Sequence, residues 1–137
     1  MKTIIHTPNA PAAIGPYSQA VRWGDTLFCS GQIALRPNGD DSLLREGVAI
    51  QCRQALENMG AVLHAAGTNW ENVVKVNVSL IDMAHFAEIN AVYEQFFGEV
   101  KPARACVAVA GLPKGALIEI ECIRPLGSYF KVIILEI

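Results

Sequence analysis

The chain has 137 residues, is 52% hydrophobic and 18% charged, and carries a formal net charge of −2. That length suits one domain with a core of its own, needing neither disulfide nor metal staples. The charge balance and the lack of a Lys/Arg run argue against a broad nucleic-acid surface, and no apolar run approaches the ~18 residues of a membrane span.

Residues 3–6 read as a short strand. Pro8, Pro11 and Pro16 exclude helix or central strand from 8–16, which is expected as an ordered loop. Residues 17–23 and 26–30 read as a hairpin turned by Gly24 and Asp25, with Gly31 directly after it, where backbone can approach another group closely. Residues 33–35 are apolar, and 37–40 form another turn. A long amphipathic helix is expected over 42–66. Leu44, Val48, Cys52, Ala55, Met59, Val62, Leu63 and Ala66 recur at helical spacing on one face. Asp41 or Ser42 can cap its start, Gly67 suits the left-handed position at its end, and Gly47 and Gly60 weaken it locally. Val74, Val76, Val78 and Leu80 alternate with Lys75, Asn77 and Ser79, as in a half-buried strand. Asp82 then caps a second helix to about Phe97, with Phe86, Ile89, Tyr93, Phe96 and Phe97 as its apolar face and Gly98 as its stop.

Residues 103–110 and 116–123 read as two more strands, joined by the turn-forming GLPKG at 111–115. Alternation places Arg104, Cys106 and Ala108 on one face, and Glu119 and Glu121 together opposite Ile118 and Ile120. In a hairpin the register decides whether Arg104 and Glu119 look the same way. Pairing Ala110 with Lys114 or Ala116 points them apart. Pairing it with Gly115 sets Cys106 against Glu119 with Arg104 as diagonal neighbour, and this is the register expected.

The order β-ββ-α-β-α-ββ suggests an α+β fold, a mixed and mostly antiparallel sheet with both helices on one face. The other face is expected to carry Arg, Asn, Lys, Glu and small residues. With the apolar excess of the whole chain, that mixture suits a surface facing another subunit. The four cysteines, Cys29, Cys52, Cys106 and Cys122, have no disulfide-framework spacing and sit in apolar surroundings, so they are expected to be reduced and buried. The N-terminus lacks the apolar core of a signal peptide, and a cytoplasmic location is expected. His6, His64 and His85 are scattered, and no metal site is expected.

Seven motifs in order carry a resemblance: IGPYSQA at 14–20, CSGQI at 29–33, QALENM at 54–59, AAG at 65–67, Phe86-x-x-x-Asn90-x-x-Tyr93 with Phe96 and Phe97, PAR at 102–104, and LPK at 112–114 with IEIE at 118–121. From about residue 3 to 123 the chain resembles the reactive-intermediate deaminase (RidA, YjgF-type) family, some members of which carry the older label endoribonuclease L-PSP or translation inhibitor. The resemblance implies a chorismate-mutase-like fold and a homotrimer with active sites in the clefts between subunits. It implies hydrolysis of 2-imino acids (2-iminobutanoate, 2-iminopropanoate) to 2-keto acids and ammonia, in metabolite damage control, with no metal or organic cofactor. By motif match Arg104 is the substrate-carboxylate arginine, Glu119 the catalytic glutamate, and Cys106 a further site residue. Tyr17, Ser30, Gly31 and Asn90 match substrate-pocket positions. Two features depart from the family pattern. The link between Phe97 and Pro102 is short, and residues 125–137 run past the usual end as an apolar extension to the 1–124 domain, either an extra strand, an interface arm or a non-native addition. Residues 132–135 would be an aggregation hazard if exposed, so cover over them is expected.

These residue types suit that chemistry. Arg104 can grip a carboxylate in a two-pronged fork, at about 1.5–3 kcal/mol per charged hydrogen bond, and so fix the imine carbon. Glu119 can hold a water on that carbon and move protons to the leaving nitrogen, typically a factor of about 10²–10⁴. Cys106 has no His near it in the pattern, so it is assigned to the pocket wall, with its backbone near the substrate, rather than to nucleophilic attack. Two other readings stand against this one. One is a ribonuclease or translation inhibitor, which the charge and the lack of an aromatic stacking platform disfavour. The other is a non-catalytic trimer that binds a small ligand.

Overall fold

The structure, a computed structural model, describes residues 1–127. Six strands, β1 (Lys2–Ile5), β2 (Ala20–Trp23), β3 (Thr26–Gln32), β4 (Lys75–Leu80), β5 (Ala103–Ala108) and β6 (Ile118–Pro125), form one sheet. Helix α1 (Val48–Ala65) lies between β3 and β4 in the chain, and α2 (Phe86–Phe97) between β4 and β5. The sheet order is β1-β2-β3-β6-β4-β5. Only β4 and β5 pair in parallel. The helices pack on one face over a core that includes Leu27, Leu56, Met59, Val76, Val78, Ile89, Ile118 and Ile120. The α+β reading, with two helices on a mostly antiparallel sheet, therefore holds. No helix among the described residues is long and apolar enough to cross a membrane.

The hairpin expected over 103–123 does not form. β4 sits between β5 and β6 and pairs with both. The connection crosses the end of β4: Val109 N–H donates to Leu80 C=O at 2.8 Å, and Ile81 N–H donates to Leu117 C=O at 3.1 Å. The reason lies in β4 itself. Its Val76, Val78 and Leu80 are fully buried, and such a strand needs a neighbour on each side. The β4–α2–β5 segment is a crossover unit that supplies one of them, so β6 takes the other. The turn residues at 111–115 are instead spent on a 3-10 turn, Pro113–Gly115, in which Lys114 (φ 56°) and Gly115 (φ 69°) are both left-handed.

The long first helix is also interrupted. Ser42–Arg45 is a 3-10 turn, Gly47 is extended (φ −69°, ψ 166°), and α1 starts at Val48 without a side-chain cap. Its buried face includes the expected Val48, Cys52, Ala55, Met59, Val62 and Leu63, and also takes in Gln51, Leu56 and Asn58, which the apolar pattern does not mark. Gly67 ends it at φ 79°, its N–H bonding His64 C=O while Thr68 N–H bonds Leu63 C=O. Gly60 has a packing purpose: a Cβ there would lie 2.5 Å from the Trp70 ring. Asp82 does cap, accepting from Ala84 N–H at 2.9 Å, but it caps the 3-10 turn Met83–His85 that leads into α2. The first hairpin strand starts at Ala20, which leaves Tyr17 in the preceding loop. Pro125 closes β6 and Leu126 packs against the core. The rest of the C-terminal extension, 132–135 included, lies outside the described residues.

Three buried amides hold the segments around the sheet's open end. Gln19 accepts from Thr7 N–H at 2.7 Å and donates to the carbonyls of Thr7, Ala10 and Pro11. Gln51 donates to Leu44 and Glu46 C=O and accepts from Leu117 N–H. Asn58 donates to Ile33 and Leu35 C=O. Each replaces ladder bonds that a proline-rich or irregular segment cannot make for itself. Gln19→Ala is expected to cost about 2–4 kcal/mol, because it strands several buried backbone groups at once. A urea unfolding midpoint matching wild type would show instead that the proline loop holds its own shape.

Candidate active site

The seven residues singled out in the sequence fall into two groups. The first surrounds Glu119 on the sheet face away from the helices. A cleft here is lined by Ile14, Tyr17, Gly31, Ile33, Pro113 and Glu119, among others. β3 carries a register irregularity between Cys29 and Gln32, which is where Ser30 and Gly31 sit. A Cβ on Gly31 would lie 2.7 Å from Glu119 Cδ and 2.9 Å from its Oε1. Only glycine lets the carboxyl group lie against the backbone there. Ser30 Oγ donates to Ser18 C=O at 2.6 Å, and Ser30 N–H donates to Gln19 C=O at 3.0 Å. Ser30 therefore ties the 14–18 loop to the bulge, which seats Tyr17 at the cleft rim, where its hydroxyl accepts from Ile14 N–H at 3.3 Å. Gln19 and Gln32 also line the cleft, so its lining is mixed rather than apolar, and it is burial that raises the cost of the Glu119 charge. Burial, with the like charge of Glu121 on the same face second, holds the Glu119 pKa above the ordinary glutamate value.

The second group surrounds Arg104. Its Nη1 donates to Asn90 Oδ1 at 2.7 Å. Its Cζ lies 4.7 Å from the Tyr93 ring centroid and 5.4 Å from that of Phe86. Among the described residues it makes no ion pair. Cys106, two residues along β5, is part-buried, and desolvation raises its thiol pKa against the opposing pull of Arg104. A thiol so shifted carries little thiolate at neutral pH. The phenylalanine and tyrosine flanking Arg104 were read from the sequence only as core. The signal was present in their spacing: Phe86, Asn90 and Tyr93 fall on one face of α2.

The two groups do not meet within one protomer. Arg104 pairs with Val76 and Cys106 with Val78, on the helix-covered face. Glu119 pairs with Ser79, which pairs in turn with Val107, on the opposite face. The register expected for a hairpin, with Cys106 against Glu119, is thus overturned by the intervening β4. So is the expectation that the outer face carries the arginine. That outer face carries Asn77, Ser79, Glu119 and Glu121 together with exposed apolar side chains, Ile4, Trp23, Phe28 and Val107. Asn77 Nδ2 donates to Glu121 Oε1 at 3.1 Å, whereas the Glu119 carboxylate has no side-chain hydrogen bond among the described residues.

Known proteins share this arrangement of chain. A family model described as endoribonuclease L-PSP matches residues 7–124. A RutC family protein of Synechocystis is 51% identical over 91% of this chain and 97% of its own. The Homo sapiens protein named 2-iminobutanoate/2-iminopropanoate deaminase is 48% identical over 93% of this chain and 92% of its own. The crystal structure of E. coli TdcF with bound serine superposes with a TM-score of 0.84 at 43% identity, covering 91% of this chain and 99% of that one.

Proposed function

Because the chain belongs to the endoribonuclease L-PSP family, of the RidA and YjgF type, we propose that it hydrolyses reactive 2-imino acids to 2-keto acids and ammonia. The observation that carries this reading is Arg104. It is a part-buried guanidinium oriented by Asn90 and two rings, with no carboxylate partner among the described residues. A cation so placed lacks an anion, and a planar carboxylate fits its fork. The relatives named imine deaminases, and the TdcF structure with bound serine, support an amino-acid-sized ligand with a carboxylate.

In this mechanism Arg104 holds the substrate carboxylate, which fixes the C=N carbon. Glu119 holds a water on that carbon and takes one proton as the C–O bond forms. As the C–O bond forms the C=N π pair moves to nitrogen, which takes that proton; the hydroxyl proton then follows to nitrogen by way of Glu119, the C–N single bond breaks as the C=O forms, and ammonia leaves. Cys106 lines the pocket, and Tyr17, Ser30 and Gly31 shape the cleft that holds Glu119. The measurement that tests the activity is ammonia and 2-oxobutanoate release from freshly generated 2-iminobutanoate. A rate no faster than spontaneous hydrolysis would sink the deaminase reading.

The site requires more than one copy. A four-carbon substrate cannot touch both faces of one sheet, so Arg104 of one subunit and Glu119 of the next must close on it together. A homotrimer packed through the outer sheet faces also covers Phe28, Trp23, Ile4 and Val107, which are 45–61% exposed in the single protomer. Phe28→Asp is expected to give a folded monomer with background activity, read by light scattering together with the imine assay. A monomeric variant that keeps full activity would place the whole site within one chain. The ribonuclease label of the family transfers less well, since a chain of net charge −2 without a basic stripe offers RNA little.

A further inference from the structure

We infer that Phe86 and Tyr93 are positioning residues for Arg104, their rings fixing the guanidinium plane so that its free N–H edge meets an anionic carboxylate. The inference rests on the reading of Arg104 as the carboxylate anchor. Phe86, Asn90 and Tyr93 all belong to α2 and all meet the Arg104 guanidinium, so a single helix builds the cradle. The ring centroids lie 4.7 and 5.4 Å from Arg104 Cζ, within cation–π range. Asn90 takes one of the five guanidinium donors, at 2.7 Å.

The chemistry of the cradle explains its composition. A carboxylate neighbour would hold the arginine just as well, but it would neutralise the charge and occupy the fork that the ligand needs. Aromatic faces attract the cation without accepting its in-plane N–H groups. A neutral amide fixes rotation at the cost of a single donor. The cradle therefore orients the cation and leaves its charge unspent. The Tyr93 hydroxyl takes no part: it is buried without a hydrogen-bond partner among the described residues, and burial pushes its pKa up to about 12. What positions Arg104 is the ring of Tyr93.

The test uses Tyr93→Leu and Phe86→Leu, which remove a ring, and Tyr93→Phe, which keeps it. Two readouts do not need turnover. In the free protein, the Arg104 Nε–H resonance should be shifted upfield by the rings in wild type and in Tyr93→Phe, and should relax toward its ordinary position in Tyr93→Leu. Titrated with 2-oxobutanoate, Tyr93→Leu should bind about tenfold more weakly and Tyr93→Phe within about twofold of wild type. In turnover of 2-iminobutanoate the loss should fall mainly on KM. Adding Tyr93→Leu to Arg104→Ala should lose nothing further, whereas a merely structural role would add its own loss. Phe86→Leu carries the same expectations should Tyr93→Leu fail to fold. An unmoved Arg104 resonance with unchanged 2-oxobutanoate affinity in both ring-deleted variants overturns the inference, as does a Tyr93→Phe loss as large as that of Tyr93→Leu. Wild type that binds 2-oxobutanoate in this pattern without hydrolysing the imine supports the cradle while the deaminase reading falls. Wild type that does not bind it removes the anchor, and the inference with it.

Discussion

Arg104→Ala is expected to lower kcat/KM for 2-iminobutanoate by about 10²–10³-fold at matched oligomer content. The magnitude follows from two charged hydrogen bonds at about 1.5–3 kcal/mol each, partly offset by water entering the vacated space. The loss should appear in both parameters, because the carboxylate grip both binds the substrate and sets where the imine carbon lies. Arg104→Lys is the informative companion. It keeps a positive charge between the rings but loses the fork and the in-plane contact with Asn90, so it should recover only part of the activity. Activity surviving at wild-type level in the alanine variant would leave the reaction in place and move the site elsewhere. The side chain is part-buried, so a thermal melt should accompany the kinetics. A lower kcat/KM with an unchanged melting temperature in the lysine variant separates anchoring from folding.

The second large effect is expected at Glu119. Glu119→Gln preserves shape against Gly31 but can neither take a proton nor hold water as an anion, and kcat should fall by about 10²–10⁴-fold. The pH dependence follows from the raised pKa of this carboxyl group, caused first by burial and then by Glu121. If the carboxylate is the working form, kcat/KM should fall as pH drops through a point above the ordinary glutamate range. That acid limb should be missing from the residual activity of the glutamine variant. Stability runs the other way. A glutamic acid whose folded pKa is raised binds protons more readily folded than unfolded. Its contribution is therefore present below the unfolded pKa and is lost as pH rises from the ordinary value through the raised one. At neutral pH the folded protein bears the cost of that charge, and Glu119→Gln should melt no lower than wild type. Full activity in the glutamine variant, or an acid limb that persists in it, would remove Glu119 from the proton transfer.

Gly31 and Gln19 show how the same stretch of sequence serves both halves of this behaviour. Gln19 binds the proline loop to the sheet, Ser30 binds that loop to the bulge, and Gly31 makes room for the carboxyl group whose pKa burial raises. The site residues at 14–20 and 29–33 are close because of polar contacts that no periodicity encodes.

Local pattern determined a good deal. The period-3.6 apolar face of α1, the alternation of β4, the left-handed stop at Gly67 and the faces of Arg104 with Cys106 and of Glu119 with Glu121 all follow from side-chain geometry along a single element. The motifs carried the family, since seven short matches in order are specific even where each alone is weak. What the sequence could not decide was which elements lie side by side. A turn-rich stretch between two strands is a local signal for a hairpin, and it lost to a non-local demand, the need of the fully buried β4 for a partner on each edge. That single insertion sends Arg104 and Glu119 to opposite faces of the sheet. Strand neighbours are chosen by the burial and hydrogen-bonding balance of the whole sheet, which no window of residues contains, so only the tertiary structure could show that Arg104 and Glu119 lie on opposite faces.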